Sequence, residues 1–370
     1  MSENSHIAFL SLNQFNPYLA DGVSRAMLEL LLFLKRHDHS VSILNFMTSE
    51  PHKRQFISQA PLCADVDHQQ MILGLEERQI PQKYQVALQA MLSRIEPAGI
   101  DFAFTVDQGI LPLFCAWYLG IPGAHFLHSV RYARSFTRDP LSVKLLQTRT
   151  VFVNSQFLQT KVKDLLNLDA VVWYPLGAIR DFRASRSEDG TGAIGFYSGG
   201  RHKGDAIINR VVSRMPDRVF LVVGRNYSPP PGQMPPNLRF WDDIRDMRRF
   251  YSRIGLLLVP SLSEEGFSRV ILEAAVNGIP VIANRVGGIP EALGNSGVLV
   301  DVDLGDQLNL DAVADEYVRE IDRLLSDDSL YRSYRQRAIA RACEYEETQA
   351  RRARELYEEY ILEAAPRSGL

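Results

Sequence analysis

At 370 residues, 46% hydrophobic and 23% charged, the chain exceeds what one hydrophobic core usually serves and reads as two ordinary soluble domains, which excludes disordered and fibrous classes. A net charge of −3, spread without long single-sign blocks, argues against nucleic acid as a partner and against a polybasic membrane-docking face. The cysteines Cys63, Cys115 and Cys343 fit neither a disulfide framework nor a metal knuckle, and no stretch reaches the roughly 20 apolar residues of a bilayer span, so a cytoplasmic protein without a leader is expected.

From the first residues onward, β-type runs alternate with runs of helical period, the pattern of parallel sheets covered by helices on both faces. Strands are predicted at His6–Leu12, Val41–Phe46, Asp101–Val106, Ala124–His128, Val151–Asn154 and Ala170–Trp173. Helices are predicted at Ser24–Arg36, Tyr84–Ile95, Ile110–Leu119 and Gln156–Leu166; Ala26, Met27, Leu30, Leu31 and Leu34 share one face of the first. Ala178–Gly192 is polar and glycine-bearing and reads as an interdomain linker. The alternation then restarts, with strands at Ala193–Ser198, Arg218–Val223, Leu238–Trp241, Gly255–Val259, Pro280–Ala283 and Gly297–Val300. Helices are expected at Asp205–Met215, Asp243–Tyr251, Phe267–Asn277 and Ile289–Leu293. Leu310–Ala364 reads as long charge-rich helices, with Tyr331, Tyr334, Ala338, Tyr345, Leu356 and Tyr360 as packing residues; the plainer reading is a solvated helical tail.

The stretch Val259-Pro-Ser-Leu-Ser-Glu-Glu-Gly-Phe-Ser-Arg-Val-Ile-Leu-Glu carries the most chemistry. A strand ends at Pro260, a polar loop follows, and a helix is predicted to begin near Phe267 with Ser268 as its cap. Free amides and the helix dipole favour an anion there, which makes Gly266, Phe267 and Ser268 a candidate diphosphate cradle. Glu265 and Glu273 flank it. Phe267 to Glu273 is about 9 Å of helix, of the order of the span from sugar to ribose across a diphosphate. Glu265 is therefore assigned to sugar hydroxyls and Glu273 to ribose hydroxyls. By spacing alone, two solvated surface glutamates would be the better reading; the surrounding pattern decides.

Glu265 and Glu273, with Gly266, Phe267, the Glu273-Ala274 pair and Gly278-Ile-Pro-Val-Ile-Ala, resemble the signature of retaining glycosyltransferase family 4, strongly over 194–301 and more loosely before it. The resemblance implies a GT-B fold, two doubly wound Rossmann-like domains facing a central cleft, with C-terminal helices packing back across them. It implies an acceptor-binding domain at 1–178 joined by a helix at about 346–370, and a donor-binding domain at 179–345. It further implies a UDP- or GDP-linked sugar as co-substrate, a hydroxyl-bearing acceptor, transfer with retention, and neither metal nor further cofactor. A peripheral contact with the inner face of the membrane is compatible with it.

Further positions carry over one by one. Lys203 with Gly204 matches the family's Lys-Gly pair, and Arg201 is assigned to the same diphosphate although only His202 separates it from Lys203; two solvated loop cations are the competing reading. Asp21-Gly22 stands where the family has a Gly-Gly pair, so Gly22 would let the backbone approach the phosphate, against the alternative of a plain turn. His128 takes the position of a histidine facing the transferred sugar, whereas His125 falls on the opposite strand face. Asn154-Ser-Gln-Phe resembles the family's segment at the end of its strand. Arg131–Arg138 reads as a loop for an anionic or lipid-linked acceptor, or as a merely solvated one. Phe240, Trp241 and Ile244 lie where the base is sandwiched, with Trp241 in place of the family's glycine. Gly287-Gly288 and Glu291 fit a Gly-Gly-x-x-Glu turn that is either structural or lines the donor site.

Asp65-Val-Asp67 and Asp301-Val-Asp303 look like Asp-x-Asp metal motifs but lack the required strand and loop context, and they are set aside. Three rivals are retained: a pseudoglycosyltransferase or other GT-B enzyme such as an epimerase, a catalytically silent sugar-nucleotide-binding protein, and a dehydrogenase. The last lacks the Gly-x-Gly-x-x-Gly fingerprint after its first strand.

Overall fold

The structure is a computed structural model that describes residues 5–12, 22–47, 67–72, 80–107, 110–176, 179–185, 192–224, 226–242, 244 and 246–363. Asp21, Cys63 and Asp65 lie outside the described residues. The chain divides into two compact units, Met1–Gly177 with Gln349–Leu370, and Ala178–Thr348.

The first unit holds a seven-stranded sheet of β1 (His6–Leu12), β2 (Ser40–Met47), β3 (Asp67–Ile72), β4 (Phe102–Val106), β5 (Gly123–Leu127), β6 (Thr150–Val153) and β7 (Val171–Val172). All pairings are parallel, in the order β3-β2-β1-β4-β5-β6-β7. Strands of such a sheet are covered on both faces and so read as continuous apolar runs: every residue of β4 is buried. Strand order reverses between β1 and β4, which opens a crevice at their carboxyl ends. Helix α1 (Gly22–Lys35) buries Met27, Leu30, Leu31 and Leu34 in one cluster with Ile7, Phe9, Ile43 and Phe104, as its 3.6-residue periodicity requires.

Three elements of this unit depart from the sequence reading. β3 was not expected. The segment read as an Arg131–Arg138 loop is helix α4 (Val130–Phe136): Ser129 Oγ accepts the Tyr132 N–H at its start, and Val130, Ala133 and Phe136 form its buried face. Arg131 and Arg134 occupy its exposed side. A second unexpected helix, α5 (Pro140–Gln147), follows; Asp139 caps it by accepting from the Leu141 and Ser142 amides, and Pro140 supplies a preset first turn.

The second unit carries β8 (Ala193–Tyr197), β9 (Phe220–Val223), β10 (Leu238–Trp241), β11 (Ile254–Val259), β12 (Val281–Asn284) and β13 (Gly297–Val300). They form a parallel sheet in the order β10-β9-β8-β11-β12-β13, again reversing at its centre, between β8 and β11. Its helices are α7 (Asp205–Arg214), α8 (Arg248–Tyr251), α9 (Arg269–Ala275) and α10 (Ile289–Leu293). Both α8 and α9 are shorter than the sequence suggested. The 3-10 turn Ile179–Phe182 lies inside the segment read as an irregular linker.

The charge-rich tail is not solvated throughout. In α11 (Leu310–Ser326), Val313, Ala314, Tyr317, Ile321 and Leu324 are buried in the second unit's core. In α12 (Asp328–Tyr357), Tyr331 and Tyr345 are buried, and the Tyr331 hydroxyl donates to the Gly255 carbonyl. From Gln349 the chain belongs to the first unit, where Ala353, Leu356, Tyr357 and Ile361 enter the cluster around α1. Fully burying a side chain such as Leu356 or Ile361 is worth about 1.5–3 kcal/mol, which explains why so polar a sequence stays docked. The Tyr357 hydroxyl and His39 Nε2 add a buried hydrogen bond of 2.5 Å.

Candidate functional site

In the second unit the two loops at the sheet's reversal point bring the predicted charges together. After β8, Gly200 adopts φ 114° and Arg201–Lys203 forms a 3-10 turn closed by Gly204 at φ 98°. A Cβ on Gly204 would stand 2.0 Å from the Pro260 carbonyl oxygen, so only glycine lets this loop lie against the one after β11. The Leu262 N–H donates to the His202 carbonyl at 2.8 Å and ties the loops directly. Asn284 donates to the Ser261 carbonyl and accepts from the buried Tyr317 hydroxyl, which fixes the second loop from the β12 side.

The result is an ion pair of 2.9 Å between Lys203 Nζ and Glu265 Oε2. Their side chains are 29% and 8% exposed, so the ammonium reaches solvent while the carboxylate sits inside. Glu265 Oε1 is buried and has no hydrogen-bond partner among the described residues. The turn at Gly287-Gly288 holds the Glu265 backbone: Gly288 N–H donates to its carbonyl at 2.8 Å, and a Cβ on Gly287, at φ 58°, would lie 2.3 Å from that oxygen. These glycines thus brace the loop that carries the carboxylate.

The other predicted donor-site residues are dispersed around this pair. Arg201 is exposed and Gly266 is buried. Helix α9 starts at Arg269, two residues later than expected; Ser268 occupies the cap position but its side chain makes no cap hydrogen bond. Phe267 packs its ring on Tyr345 at 5.9 Å, a core contact rather than a ligand-facing one. Glu273 is the fifth residue of α9, about 6 Å of rise from its start rather than the 9 Å anticipated. Its residue is 7% exposed, and its Oε2 accepts from the fully buried Tyr251 hydroxyl at 2.8 Å. Burial first, and the Glu273 carboxylate second, push the Tyr251 hydroxyl well above its ordinary pKa, so it stays a donor. Tyr251 was not singled out in the sequence. Trp241 ends β10 and Ile244 follows it, both half-buried, at the same carboxyl end but toward the sheet's edge. Asp301 pairs with Arg285 at 2.6 Å.

In the first unit, Gly22 opens α1. His128 follows β5 and is buried at 7% exposure. Asp107, directly after β4, is fully buried at φ 45°; its Oδ1 accepts the His128 N–H at 2.7 Å and its Oδ2 lies 3.1 Å from His128 Nδ1. One carboxylate thereby fixes both backbone and ring, leaving Nε2 as the ring's other polar atom. Asn154 donates to the His128 carbonyl at 3.1 Å. The sequence signal for Asp107 is an acidic residue closing a fully apolar strand at a reversal point. His125 takes the structural role: its Nδ1 meets Thr105 Oγ1 at 2.7 Å, and complete burial, then His128, lower its pKa to about 3.

Comparison with known proteins follows the same division. Residues 201–327 match the family described as Glycosyl transferases group 1, and they form a domain of that group. A stretch of 80 residues is 44% identical to N-acetyl-alpha-D-glucosaminyl L-malate synthase of Bacillus anthracis; it spans 21% of this chain and 19% of that enzyme. Among solved structures, the chain is similar to sucrose-phosphate synthase from Thermosynechococcus elongatus, with a TM-score of 0.74 at 19% identity over 96% of this chain and 98% of the other. It is also similar to Anabaena HepE, solved with UDP and glucose, with a TM-score of 0.69 at 15% identity over 95% and 99% of the two chains. At such identities the likeness is one of fold, and that fold is GT-B.

Proposed function

We propose that the chain is a glycosyltransferase that moves a sugar from a nucleoside diphosphate to a hydroxyl acceptor with retention of configuration. The observation that carries this reading is the Lys203–Glu265 pair at the sheet's reversal point, with a second carboxylate oxygen buried and unpartnered. An orphaned buried oxygen of this kind costs about 1–3 kcal/mol unless a ligand hydroxyl donates to it. A sugar hydroxyl is such a donor. Lys203 has three N–H donors and spends one on Glu265; its exposed side can give the others to a diphosphate oxygen and stabilise the charge released as the glycosidic bond breaks. Arg201, on the same turn, adds a second cation for that leaving group.

Glu265 then orients the sugar and Glu273 serves the ribose, with Tyr251 holding its carboxylate in place. Gly266, Phe267 and Ser268 contribute backbone to the diphosphate, Trp241 and Ile244 flank the base, and Gly22 and His128 act from the first unit. The departing phosphate takes the acceptor's proton, so no side chain need become a covalent nucleophile. With cations and amides for the phosphates, the reaction requires no metal. The donor is a UDP- or GDP-linked sugar; the structural relative solved with UDP and glucose favours UDP. The product belongs to cell-surface polysaccharide, glycolipid or secondary-metabolite synthesis, made in the cytoplasm or at the inner face of the membrane.

The test is a panel of UDP- and GDP-sugars incubated with the protein and hydroxyl acceptors in excess EDTA, with the anomeric configuration of the product read by NMR. Transfer with retention is expected; inversion, or dependence on a divalent cation, would overturn the mechanism.

A further inference from the structure

The first unit contains a small cavity that the assignments above leave unused. It lies between α1 and the carboxyl ends of β5, β6 and β7, with Ala26, Met27 and Leu30 on one side and Asn154 and Trp173 among the residues opposite. Two of its lining residues are polar groups in difficulty. Trp173 is 4% exposed and its indole Nε1 has no hydrogen-bond partner; Asn154 is 8% exposed and its Oδ1 has none, although its Nδ2 is spent on the His128 carbonyl. One is a donor and the other an acceptor. Each unsatisfied buried group costs about 1–3 kcal/mol, and a lone case is often an accident of packing; a donor and an acceptor lining one cavity are complementary to a single kind of group.

We propose that this cavity is a subsite for one uncharged hydroxyl carried on an apolar carbon skeleton. The hydroxyl oxygen accepts from Trp173 Nε1 and its proton goes to Asn154 Oδ1, so both orphans are satisfied by the smallest group that is donor and acceptor at once. The charge of the site fixes the ligand's charge. No lysine or arginine is among the lining residues, so a carboxylate or phosphate would enter uncompensated and would meet the Asn154 carbonyl oxygen head-on. The skeleton is apolar because Met27, Leu30, Phe126 and Leu176 make the walls. Assigning this hydroxyl to the acceptor rests on the transferase reading; the recognition chemistry does not.

The experiment follows the indole N–H resonances of the full chain labelled with 15N. There are three tryptophans, and Trp173→Phe identifies the peak of interest. Butan-1-ol is the probe and butyrate the charged control. A saturable shift of the Trp173 peak with butan-1-ol, absent with butyrate and weakened at least fivefold in Asn154→Ala, is expected. Should Asn154→Ala fail to fold, Ala26→Val, which narrows the cavity from the α1 side, is expected to weaken the same response. A Trp173 peak unmoved by butan-1-ol would mean that a resident water answers both atoms, and it overturns the proposal. So does an equal response to butyrate. Nucleotide-sugar turnover, measured in parallel, reports on the transferase reading alone, so either can fail without the other.

Discussion

The two sheets end in sites of opposite character. At the reversal point of the second, a lysine and a glutamate form a half-exposed ion pair braced by glycine turns. Beside the reversal point of the first, a buried carboxylate grips a histidine, next to a cavity walled mainly by apolar side chains. The same strand order thus supports a charged surface that suits an anionic donor and a desolvated pocket that suits a neutral hydroxyl. What differs is the loops after the strands, which is where open parallel sheets put their chemistry.

The sharpest way to break this contrast is to remove the second unit's charges. Lys203→Ala and Glu265→Ala are each expected to lower kcat/KM for nucleotide-sugar turnover by about 10²- to 10³-fold, the usual loss for one charge-stabilising group. Wild-type rates in both would detach the pair from catalysis. Gly287→Ala acts on the brace instead: a left-handed backbone and a contact of 2.3 Å with the Glu265 carbonyl should cost about 1–3 kcal/mol in urea unfolding, with turnover falling alongside. Unchanged stability would show that the loop yields freely.

In the first unit, Asp107→Asn is expected to release the His128 ring from its present tautomer, visible in its imidazole 15N shifts, and to cut kcat/KM by roughly ten- to a hundredfold, the worth of a charged hydrogen bond. A ring spectrum identical to wild type would deny Asp107 that positioning role. The smallest effect concerns His125. Its folded pKa, about 3, lies below the ordinary 6.5, so the unfolded chain binds the extra proton between those values. Stability is therefore full above pH 6.5 and falls as pH drops toward 3, by at most about 1.4 kcal/mol per pH unit from this group. His125→Gln should flatten the decline in unfolding midpoint between pH 7 and 5; an unaltered slope would place the titration elsewhere.

The sequence reading succeeded where apolar runs are long and bounded, as in β1, β10, β13, α6 (Gln156–Leu166) and α10, which coincide with their expected limits. It failed where pattern is weak. β3, Asp-His-Gln-Gln-Met-Ile, is an edge strand held by backbone pairing with β2, so its composition gives little sign of a sheet. α4 presents only Val130, Ala133 and Phe136 inward, too short a stripe to stand out against four flanking polar residues.

The candidate site divides along similar lines. Glu265, Glu273 and Lys203 were marked by motif, yet the ion pair joins residues 62 positions apart, and the inward hold of Tyr251 on Glu273 spans 22. Asp107 went unmarked because its meaning lies wholly in a residue 21 positions away on the neighbouring strand. Spacing records chemistry within one loop; the partners across loops are set by strand order.

The most direct test of the central claim is a thermal-shift titration of UDP and UDP-sugars in EDTA, with wild type and Lys203→Ala side by side. Ligand linkage predicts a concentration-dependent rise in Tm for the wild type that is largely lost in the variant. A rise of equal size in both proteins, or none in either with any nucleoside diphosphate, would contradict the assignment of the donor to the Lys203–Glu265 site.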